Sequence, residues 1–509
     1  MEVTGTKSGP AGLEIRPSLE EVRRLGKQYN LIPVYHSFIS DLETPVSAFL
    51  KLGAMRNSFL LESAEQGERI GRYSFLGFDP RAVVSFKDGE LTIREGEDET
   101  VTVTATDDPF GAISDYMSGY QAPEFEDLPP FIGGAVGLFG YDLIRWVEEL
   151  PPPKEDTLGL PDMAFLVTDS TVIFDHLKHT TLLLANVLVE EGKDIDESYE
   201  EACARVRRLK QLLDEPLPKP VRRQRGALGE LSSNFSKKDF ESAVDKVKEY
   251  IFAGDSFQTV PSQRFQVGVG VSAFGIYRGL RAVNPSPYMY YIAFDDFSLV
   301  GSSPEPLIKV NRGWVETRPI AGTRPRGATP EEDKKLAEDL LADAKERAEH
   351  IMLVDLGRND LGRVCEPGTV EVVDLMRIEY YSHVMHIVSV VVGKLKAGMK
   401  ATDALKAAFP AGTVSGAPKI RSMEIINELE PTRRGPYAGA IGYLSFHRGD
   451  LDTCICIRTI VVKDGVAYVQ AGGGVVADSV PEREYEETRN KARALFTAIE
   501  LAQGQEGWE

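Results

Sequence analysis

Four glutamates arranged in two pairs are the side chains of this sequence whose spacing could bind a cation. Glu346 and Glu349 lie three residues apart in KERAEHIM, and Glu484 and Glu487 lie three apart in PEREYEETRNK. Both segments have a helical pattern, and residues three apart share one face of a helix with 3.6 residues per turn. Two helices could therefore direct all four carboxylates at one point, where they would repel one another unless a cation lay between them.

The ligand types indicate which cation would suit such a site. The glutamates have no cysteine or histidine ligand set nearby in the sequence, and oxygen ligands favour a hard ion such as Mg²⁺. The alternative for each pair is a solvated helix face, which is the common role of glutamates at this spacing. At the start of the second helix, Ser479 and Glu482 predict a capping box, with Pro481 in the first turn.

Three further features could contact an anion or move a proton. IAGTRPRG (320–327) combines a small-residue turn, the Thr323 hydroxyl and two arginines, which suits a carboxylate, although an ordinary arginine-bearing loop has the same composition. The glycines of QAGGGV (470–475) would let backbone N–H groups approach an anion, or would form a bulge that turns the chain. His386 lies in a predicted helix, where a lone histidine is more often structural than catalytic.

The composition indicates a globular protein without a nucleic-acid or membrane partner. The chain has 509 residues, of which 42% are hydrophobic and 27% charged, and its net charge is −20. Nucleic acids and anionic membranes need a basic surface, so this charge argues against both. Four cysteines form no disulfide framework, no apolar run could span a bilayer, and the first residues lack the apolar core of a signal peptide. These features predict a cytoplasmic protein with reduced cysteines.

The elements that must position these side chains are predicted hairpins and helices. Alternating apolar runs predict hairpins at 82–95, 171–187 and 288–301, a strand at 314–322, and a three-strand meander over 437–446, 452–462 and 466–476. Helical periodicity predicts helices at 194–213, 236–253, 330–355, 382–395, 402–409 and 481–502. Blocks of hairpin-linked strands with helices between them argue for an α+β fold with antiparallel sheets.

A proline-rich, basic stretch at 214–229 is the best candidate for a linker. It predicts an N-terminal region over 1–213 and a catalytic region over 230–509.

Taken together and in this order, the motifs resemble those of the chorismate-utilising enzymes, most closely the family of anthranilate synthase large subunits (component I). The resemblance covers nearly the whole chain. It rests on LLES (60–63), NPSPYMYY (284–291), GSSPEPL (301–307), RPIAGTRPRG (318–327), KERAEHIMLVDLGRNDLGRV (345–364), HVMHIVS (383–389), GTVSGAPKIR (412–421), GDLDTCICIR (449–458) and QAGGGVVADSVPEREYEETRNKA (470–492). It implies two large antiparallel β-sheets packed face to face, with helices outside and the active site in a cleft. The N-terminal region would then pack on the catalytic region.

The resemblance also implies roles for individual residues. In the family a Mg²⁺ ion bridges the protein to the ring carboxylate of chorismate. Glu349 and Glu487 match its glutamates, with Glu346 and Glu484 beside them. The positions that match chorismate contacts are Gly322, Thr323, Tyr437, Arg458, Gly472, Gly473, Gly474 and Lys491. The positions taken as catalytic are His386, which matches a histidine near the ring that helps the elimination, Glu305, which matches the acid that protonates the departing hydroxyl, and Thr413.

The implied reaction has two steps. Ammonia adds at ring carbon 2 while the carbon-4 hydroxyl leaves as water, and pyruvate is then eliminated to give anthranilate, the first committed step of tryptophan biosynthesis. The sequence contains no Gly-x-Cys-x-Gly segment of a glutamine amidotransferase. A separate glutaminase subunit is therefore expected to supply the ammonia, in a heterotetramer of two large and two small subunits.

Two positions distinguish this reaction from those of sister enzymes. Gln258 stands where water-adding relatives carry a lysine base, and Ala321 stands where many aminodeoxychorismate synthases carry a nucleophilic lysine. Both favour direct amination at carbon 2. The alternatives are an aminodeoxychorismate synthase component I, since some of these also lack the lysine, and a catalytically silent subunit that senses tryptophan.

A tryptophan feedback site is the last implication of the resemblance. The matching residues are Leu61, Glu62, Ser63, Asn284, Pro287, Tyr288 and Met289, with Ile441, Tyr443 and Cys454 on the far wall. The alternative is that these residues make ordinary core contacts.

Overall fold

The structure, a computed structural model, describes residues 13–53, 57–63, 71–96, 100–219, 228–381, 384–506 and 508. Its helices are α1 (Leu19–Leu25), α2 (Pro45–Lys51), α3 (Pro109–Ser118), α4 (Ile195–Asp214), α5 (Lys237–Ala253), α6 (Ala273–Val283), α7 (Pro330–Ala342), α8 (Ala344–Val364), α9 (Ala401–Ala408), α10 (Gly412–Ser415), α11 (Lys419–Leu429) and α12 (Pro481–Gly504), with a 3₁₀ helix at Tyr141–Trp146.

The strands precede, separate and follow these helices. They are β1 (Leu31–Ile39), β2 (Ser58–Glu62), β3 (Tyr73–Gly77), β4 (Ala82–Lys87), β5 (Glu90–Glu95), β6 (Thr100–Ala105), β7 (Gly134–Phe139), β8 (Met163–Thr168), β9 (Ser170–Asp175), β10 (Thr180–Leu188), β11 (Ser232–Ser233), β12 (Gln258–Thr259), β13 (Ser262–Gly268), β14 (Tyr288–Ala293), β15 (Phe297–Ser303), β16 (Pro306–Asn311), β17 (Trp314–Thr317), β18 (Ile320–Pro325), β19 (Glu371–Tyr380), β20 (Val384–Lys394), β21 (Gly416–Ala417), β22 (Ala440–Ser445), β23 (Leu451–Ile455), β24 (Thr459–Lys463) and β25 (Val466–Gly472).

Two large antiparallel sheets contain nearly all of these strands. The first has the order β1-β10-β9-β3-β2-β14-β15-β24-β25-β13-β11, and the second has the order β18-β20-β17-β16-β23-β22-β7-β8-β4-β5-β6, with β19 also paired to β20. Each sheet combines strands from before and after the predicted linker. Residues 220–227 of that linker lie outside the described residues, and the division into two regions stays a prediction.

The sheets pack face to face and bury a shared core. One hydrophobic cluster contains Phe75 of β3 and Ile292 of β14 in the first sheet together with Leu138 of β7 and Tyr443 of β22 in the second. The rings of Phe75 and Tyr443 meet edge to face across the gap, with centroids 6.0 Å apart. The strands at this interface are buried on both faces, which explains their continuous apolar sequences.

Helices cover the outer faces of both sheets. Helices α1, α2, α4, α6 and α12 share a hydrophobic cluster with the first sheet, and α3, α8 and α9 share one with the second. The prediction of an α+β fold with two facing antiparallel sheets and external helices is therefore confirmed. The four cysteines are buried and unpaired, as expected. No helix in the described part of the chain combines the length and apolar character needed to cross a bilayer.

The predicted helix at 382–395 is wrong, because Val384–Lys394 forms the strand β20. Its run of valines and isoleucine is β-branched, a composition that favours strands over helices. Pairing with β17 and β18 on one edge and β19 on the other fixes this conformation. His386 is consequently a strand residue, and its neighbours come from adjacent strands.

The predicted helix at 330–355 divides into α7 and α8. Asp343 interrupts the helical pattern and caps α8, where its carboxylate accepts from the backbone N–H groups of Lys345 and Glu346. The predicted capping box at α12 is also wrong, since Ser479 Oγ accepts from Val476 N and makes no cap. Pro481 does occupy the first turn of α12, as predicted.

Two predicted strand segments also differ from the structure. The strand at 314–322 divides into β17 and β18 around Pro319, and IAGTRPRG, expected as a turn, supplies β18. The segment 452–462 divides into β23, in the second sheet, and β24, in the first. The chain crosses between the sheets next to Arg458, whose φ of +51° is a left-handed conformation that ends the extended run. The predicted meander is therefore four strands shared by two sheets.

Candidate active site

The first glutamate pair lies at the start of α8. Glu346 accepts a hydrogen bond from Arg324 of β18 at 3.2 Å. Burial, and then the charge of Glu346, raise the pKa of Glu349 above its usual value. Repulsion between the two negative charges makes it harder to ionise both carboxylates at once, and a bound cation would reduce that repulsion.

The arginines of β18 do not serve as the predicted carboxylate forks. Arg324 pairs with Asp339, Asp343 and Glu346, and Arg326 pairs with Asp333. Their guanidinium groups therefore hold β18 against α7 and α8. This correction leaves Gly322 and Thr323 as the members of the motif that face the site.

The second glutamate pair lies at the start of α12, beside the three glycines that follow β25. A Cβ placed on Gly473 would lie 3.1 Å from Glu484 Oε2 and 3.8 Å from Glu487 Oε1, so this glycine allows both carboxylates to approach the backbone. Glu487 forms an ion pair with Lys491 at 2.8 Å, and Lys491 donates to the Gly472 carbonyl at 2.9 Å. The predicted glycine motif and the predicted lysine thus meet at one point.

Gln258 lies between the first glutamate pair and the glycine segment. Its side-chain amide lies close enough to Glu349 to lower the pKa of that carboxyl group. A Cβ on Gly474 would lie only 2.5 Å from Gln258 Nε2, so the amide rests directly against the glycine segment. The amide therefore lies between α8 and the glycine segment that follows β25.

The carboxylates suit a cation that shares its ligands with a substrate. Glu484 Oε2 is buried and has no hydrogen-bond partner among the described residues. Burial is the main reason that the pKa of Glu484 is raised, and the charge of Glu487 adds to it. Within the described ranges, no three acidic, histidine or cysteine side chains are close enough to enclose a metal ion. The expected convergence of all four carboxylates is therefore not observed, whereas Mg²⁺ commonly uses only one or two carboxylates together with water and substrate oxygens.

His386 is held in one orientation by β18. Its Nδ1 lies 3.0 Å from the Gly322 carbonyl oxygen and 3.1 Å from Thr323 Oγ1. Burial lowers the pKa of His386, so the imidazole is neutral near pH 7. A carbonyl oxygen can only accept, so Nδ1 carries the hydrogen and Nε2 carries the lone pair.

Gly322 makes this arrangement possible because it is a bulge with φ of +73°. A Cβ there would lie 3.1 Å from Leu340, 3.2 Å from Glu346 Oε2 and 3.2 Å from Ile387. Glycine is required both for the left-handed conformation and for the space.

Glu305 and Thr413 form an isolated acid and its hydroxyl partner. Thr413 donates from Oγ1 to Glu305 Oε1 at 2.7 Å. Burial raises the pKa of Glu305 to about 7, although the hydrogen bond from Thr413 and the charge of Lys491 lower it. A carboxyl group with this pKa is partly protonated at neutral pH and can act as a general acid.

Arg458 and Tyr437 connect the remaining predicted residues. Burial lowers the pKa of Arg458, and the nearby groups Tyr437 and Glu487 favour its charged form. Tyr437 is buried, which raises its pKa to about 12, and its hydroxyl faces the backbone of Gly472. Arg458 also acts on His386 by lowering its pKa. The predicted catalytic and substrate residues therefore form one electrostatically connected group.

A separate cavity of about 350 Å³ lies between the sheets. All predicted tryptophan-site residues except Asn284 line it. Asn284 instead donates to Ser302 Oγ at 3.1 Å, next to the cavity wall. Ser63 Oγ is buried in this lining without a hydrogen-bond partner in the described part of the chain.

Charged lining residues were missing from the sequence prediction. Asp452 pairs with Lys309 at 3.3 Å and accepts from Tyr288 at 2.9 Å, and Arg318 pairs with Glu316 at 2.7 Å. Asp452 and Arg318 lie inside the motifs GDLDTCICIR and RPIAGTRPRG, which was the available signal for these two, whereas Lys309 and Glu316 lie outside both. Their cross-strand partners could not be read from one sequence.

The cavity and His386 share a wall. Tyr381 lines the cavity, and its ring meets the His386 imidazole edge to face with centroids 5.4 Å apart. The Tyr381 hydroxyl donates at 2.9 Å to Glu379, another lining residue, whose Cα is paired with that of His386 across β19 and β20.

Known proteins are similar to this chain in sequence and in architecture. Residues 56–497 match the family model of chorismate binding enzymes. Anthranilate synthase component 1 of Acetivibrio thermocellus is 50% identical over 492 residues, which cover 96% of this chain and 99% of that relative. The protein of the same name from Pseudomonas aeruginosa is 48% identical over 95% of this chain and 99% of its own length. The crystal structure of anthranilate synthase component I from Streptococcus pneumoniae has a TM-score of 0.75 at 39% identity, covering 90% of this chain and 98% of that one.

Proposed function

Because this chain belongs to the family of chorismate binding enzymes and its similar relatives are anthranilate synthases (component I), we propose that it converts chorismate and ammonia to anthranilate, pyruvate and water. The family predicted from the sequence motifs is the one that the comparisons identify. The observation that carries the proposed chemistry is that one cluster of charged residues contains both a neutral, oriented His386 and a partly protonated Glu305.

The first step needs a proton for the departing hydroxyl. Ammonia attacks ring carbon 2 with its lone pair, the ring double bonds shift, and the bond from carbon 4 to the hydroxyl oxygen breaks. Glu305, with a pKa of about 7, gives its proton to that oxygen so that water leaves. The added nitrogen loses a proton to solvent or to the ionised Glu305, which restores the acid.

The second step needs a base. His386 Nε2 takes the proton from ring carbon 2, and the bond between ring carbon 3 and the enolpyruvyl oxygen breaks as the ring becomes aromatic. The imidazolium then gives the proton to the departing enolpyruvate, which becomes pyruvate. The hydrogen bond from Nδ1–H to the Gly322 carbonyl keeps Nε2 unprotonated and directed at the substrate. Arg458 and Lys491 orient the carboxylates of the substrate, and Tyr437 with the glycines of 472–474 shapes the surface beneath it.

A Mg²⁺ ion held by Glu349 and Glu487, with Glu346 and Glu484 beside them, would supply positive charge to the ring carboxylate. The raised pKa values of Glu349 and Glu484 and the unpartnered Glu484 Oε2 support a cation there. The chain's own residues fix the carboxylates, through Gln258 on one side and Lys491 on the other.

Ammonia is favoured over water as the nucleophile because Gln258 is an amide and cannot accept a proton at neutral pH. Ala321 offers no amine for covalent attack, which favours the ortho product over the para product of aminodeoxychorismate synthases. A separate glutaminase subunit would deliver the ammonia in the cell, and the name component 1 of the relatives supports a second component.

The cavity between the sheets is proposed as an inhibitory tryptophan site. Its apolar and aromatic walls suit an indole, its paired cations and carboxylates suit a zwitterion, and the unpartnered Ser63 hydroxyl could donate to a carboxylate. Through Tyr381, an occupant could act on His386.

The test is a fluorescence assay for anthranilate on the purified chain with chorismate and Mg²⁺. We expect product with ammonium, none with glutamine alone, and suppression by tryptophan. Product formed from glutamine by the isolated chain would refute the need for a glutaminase partner. Chorismate left unconsumed with ammonium would refute the proposed activity, and inhibition by phenylalanine equal to that by tryptophan would refute the assigned cavity ligand.

A further inference from the structure

Helix α8 and strand β20 carry separate parts of the candidate site, and one buried polar contact joins them. His350 of α8 and Ser389 of β20 are both completely inaccessible to solvent. His350 Nε2 lies 2.6 Å from Ser389 Oγ. His350 directly follows Glu349 and is one turn after Glu346, while Ser389 is three residues after His386.

Ser389 is itself held by the backbone on both sides of β20. Its hydroxyl oxygen accepts from Met376 N of β19 at 2.9 Å, and its own backbone N–H donates to the Pro319 carbonyl, just before β18, at 3.1 Å. The hydroxyl cannot shift without breaking one of these bonds. It is therefore a fixed reference point in the sheet that carries His386 and Gly322.

Apolar side chains also pack between α8 and β20. Val354 of α8 and Val391 of β20 belong to the same hydrophobic cluster. Apolar contacts are non-directional, whereas a single buried polar contact can select one register and one rotation of a helix. His350 Nδ1 has no partner within the described residues, so the contact with Ser389 is the hydrogen bond that offsets the free-energy cost of burying the imidazole.

Small rotations of α8 would matter to the site. Side-chain ends lie about 5–6 Å from a helix axis, so a rotation of about 20° displaces a carboxylate by about 2 Å. Misplacement by 1 Å can lower the rate of a reaction about 100-fold when positioning contributes to catalysis. Because side chains alternate along β20, Ser389 lies on the face covered by α8 and His386 lies on the opposite face. The contact between His350 and Ser389 therefore sets the distance from the carboxylates of Glu346 and Glu349 to the imidazole of His386.

We propose that His350 and Ser389 are positioning residues, whose hydrogen bond sets the rotation of α8 and thereby places Glu346 and Glu349 relative to His386. The assignment rests on the proposed function of the site. It concerns neither substrate contact nor proton transfer by His350, which is buried away from the cleft.

The test compares variants that remove and retain the hydrogen bond. His350→Leu and Ser389→Ala remove it, and His350→Gln retains a donor near the position of Nε2. We expect kcat for anthranilate formation to fall about 100-fold in the first two, with KM for chorismate changed less than fivefold, and at least tenfold recovery of kcat in His350→Gln. The double variant should be no slower than the slower single variant, because both substitutions remove the same His350–Ser389 contact. Ser389→Ala also removes the acceptor of Met376 N, so it is expected to be the slower of the two.

The matched control is His447, a buried histidine in the turn between β22 and β23. His447→Leu replaces a buried histidine of the same size whose ring nitrogens have no hydrogen-bond partner among the described residues, and it should leave kcat within twofold of wild type. Urea unfolding of every variant measures how much of each loss of kcat is due to destabilisation. If His447→Leu lowers kcat as much as His350→Leu does, the loss of kcat would be due to general destabilisation, and the proposal would be overturned. Multiplicative losses in the double variant, or no recovery in His350→Gln, would overturn it as well.

Hydrogen–deuterium exchange on the full chain separates this proposal from the proposed function. His350→Leu and Ser389→Ala should raise deuterium uptake in the first two turns of α8, whereas His447→Leu should not. A wild-type chain that makes no anthranilate would refute the proposed function, and the exchange result would still decide whether the contact holds α8. Unchanged uptake in both variants would refute the positioning role even if the enzyme is active.

Discussion

At the scale of single residues, the proposed reaction depends on two protonation states that burial produces. Glu305 keeps a proton near pH 7 because its environment disfavours the carboxylate, and His386 stays neutral because its environment disfavours the imidazolium. Thr413 limits the first effect by donating to the Glu305 carboxylate. Each of these groups can be changed by one substitution without altering the backbone.

Removal of the acid should change the pH profile of catalysis. With unprotonated ammonia held constant, wild-type kcat should fall as pH rises through the pKa of Glu305, about 7 in the free protein. Glu305→Gln should lower kcat by about 100-fold and remove that limb, consistent with the usual contribution of a general acid. Thr413→Val, which removes only the hydrogen bond to the ionised form, should move the limb to higher pH. An unshifted limb in both variants would assign it to another group.

The same carboxyl group should also make the stability of the folded protein depend on pH. Its pKa rises from 4.5 to about 7 on folding, so the native state retains a proton that the unfolded state has lost between these values, and stability falls as pH rises across this window. Glu305→Gln should therefore gain up to about 3 kcal/mol of unfolding free energy relative to wild type between pH 4.5 and pH 8. Urea unfolding at both pH values measures the difference. A constant difference between variant and wild type would contradict the raised pKa.

At the scale of elements, the site is built where strands are irregular and helices begin. The bulge of β18 at Gly322, the end of β25 at the glycines and the first turns of α8 and α12 supply the functional groups. Regular pairing elsewhere in the two sheets holds these irregular points in place. Changes at the bulge should therefore affect the site more than the fold.

Gly322→Ala tests this arrangement. The new methyl group would require a left-handed alanine and would lie 3.2 Å from Glu346 Oε2 and Ile387. We expect kcat/KM for chorismate to fall at least 100-fold, while the unfolding free energy falls by about 1–3 kcal/mol. Gly313→Ala, at the turn between β16 and β17 with φ of +74° and no atom near the added Cβ, is the matched control for strain alone. Equal loss of activity in both variants would contradict a local effect on the site.

The sequence predicted elements well where one pattern decided them and poorly where tertiary pairing decided them. Helices α4, α5 and α12 and the hairpin β4–β5 have clear periodicity or an Asp-Gly turn and were predicted correctly. β20 was assigned as a helix because its alternation is masked by a continuous apolar run that is buried on both faces. The break at Asp343 depends on a single helix cap. The change of sheet near Arg458 depends on distant strand partners, since Thr459 pairs with Gly301 and Cys454 pairs with Pro306.

The candidate site followed the same rule. The structure places His386 against Gly322, Lys491 against Glu487 and Thr413 against Glu305, and the roles of these residues stay predictions. The arginines of β18 were assigned to a ligand because composition alone does not reveal the acidic partners on α7 and α8. Gln258 was recognised as a non-base, but its contact with Glu349 required the fold.

At the scale of the whole molecule, the two facing sheets place a cavity and a reaction site against a common wall. Tyr381 belongs to both, since it lines the cavity and contacts His386. Strands from both ends of the chain build each sheet, so a change in the spacing of the sheets would reach both sites at once. This arrangement would give an inhibitor in the cavity a direct physical route to His386, the proposed base.

Tyr381→Phe should therefore weaken inhibition by tryptophan more than binding of tryptophan. The variant keeps the ring against His386 but loses the hydrogen bond to Glu379. We expect the activity that remains at saturating tryptophan to be at least fivefold higher than in wild type, while the calorimetric Kd changes less than twofold, because the coupling is lost and the binding is kept. Met289→Ala, which changes a lining residue on β14, should weaken binding and inhibition together. Parallel changes in both quantities for Tyr381→Phe would contradict the route through this residue.

The position of the new nitrogen on the ring tests the central claim most directly. The measurement is an NMR spectrum of the aromatic product formed by the purified chain from chorismate and ¹⁵N-ammonium with Mg²⁺. We predict a ring with the labelled amino group ortho to the carboxylate, formed together with one equivalent of pyruvate. A para-substituted product after lyase treatment, or an unlabelled hydroxylated product, would contradict the proposed amination at carbon 2.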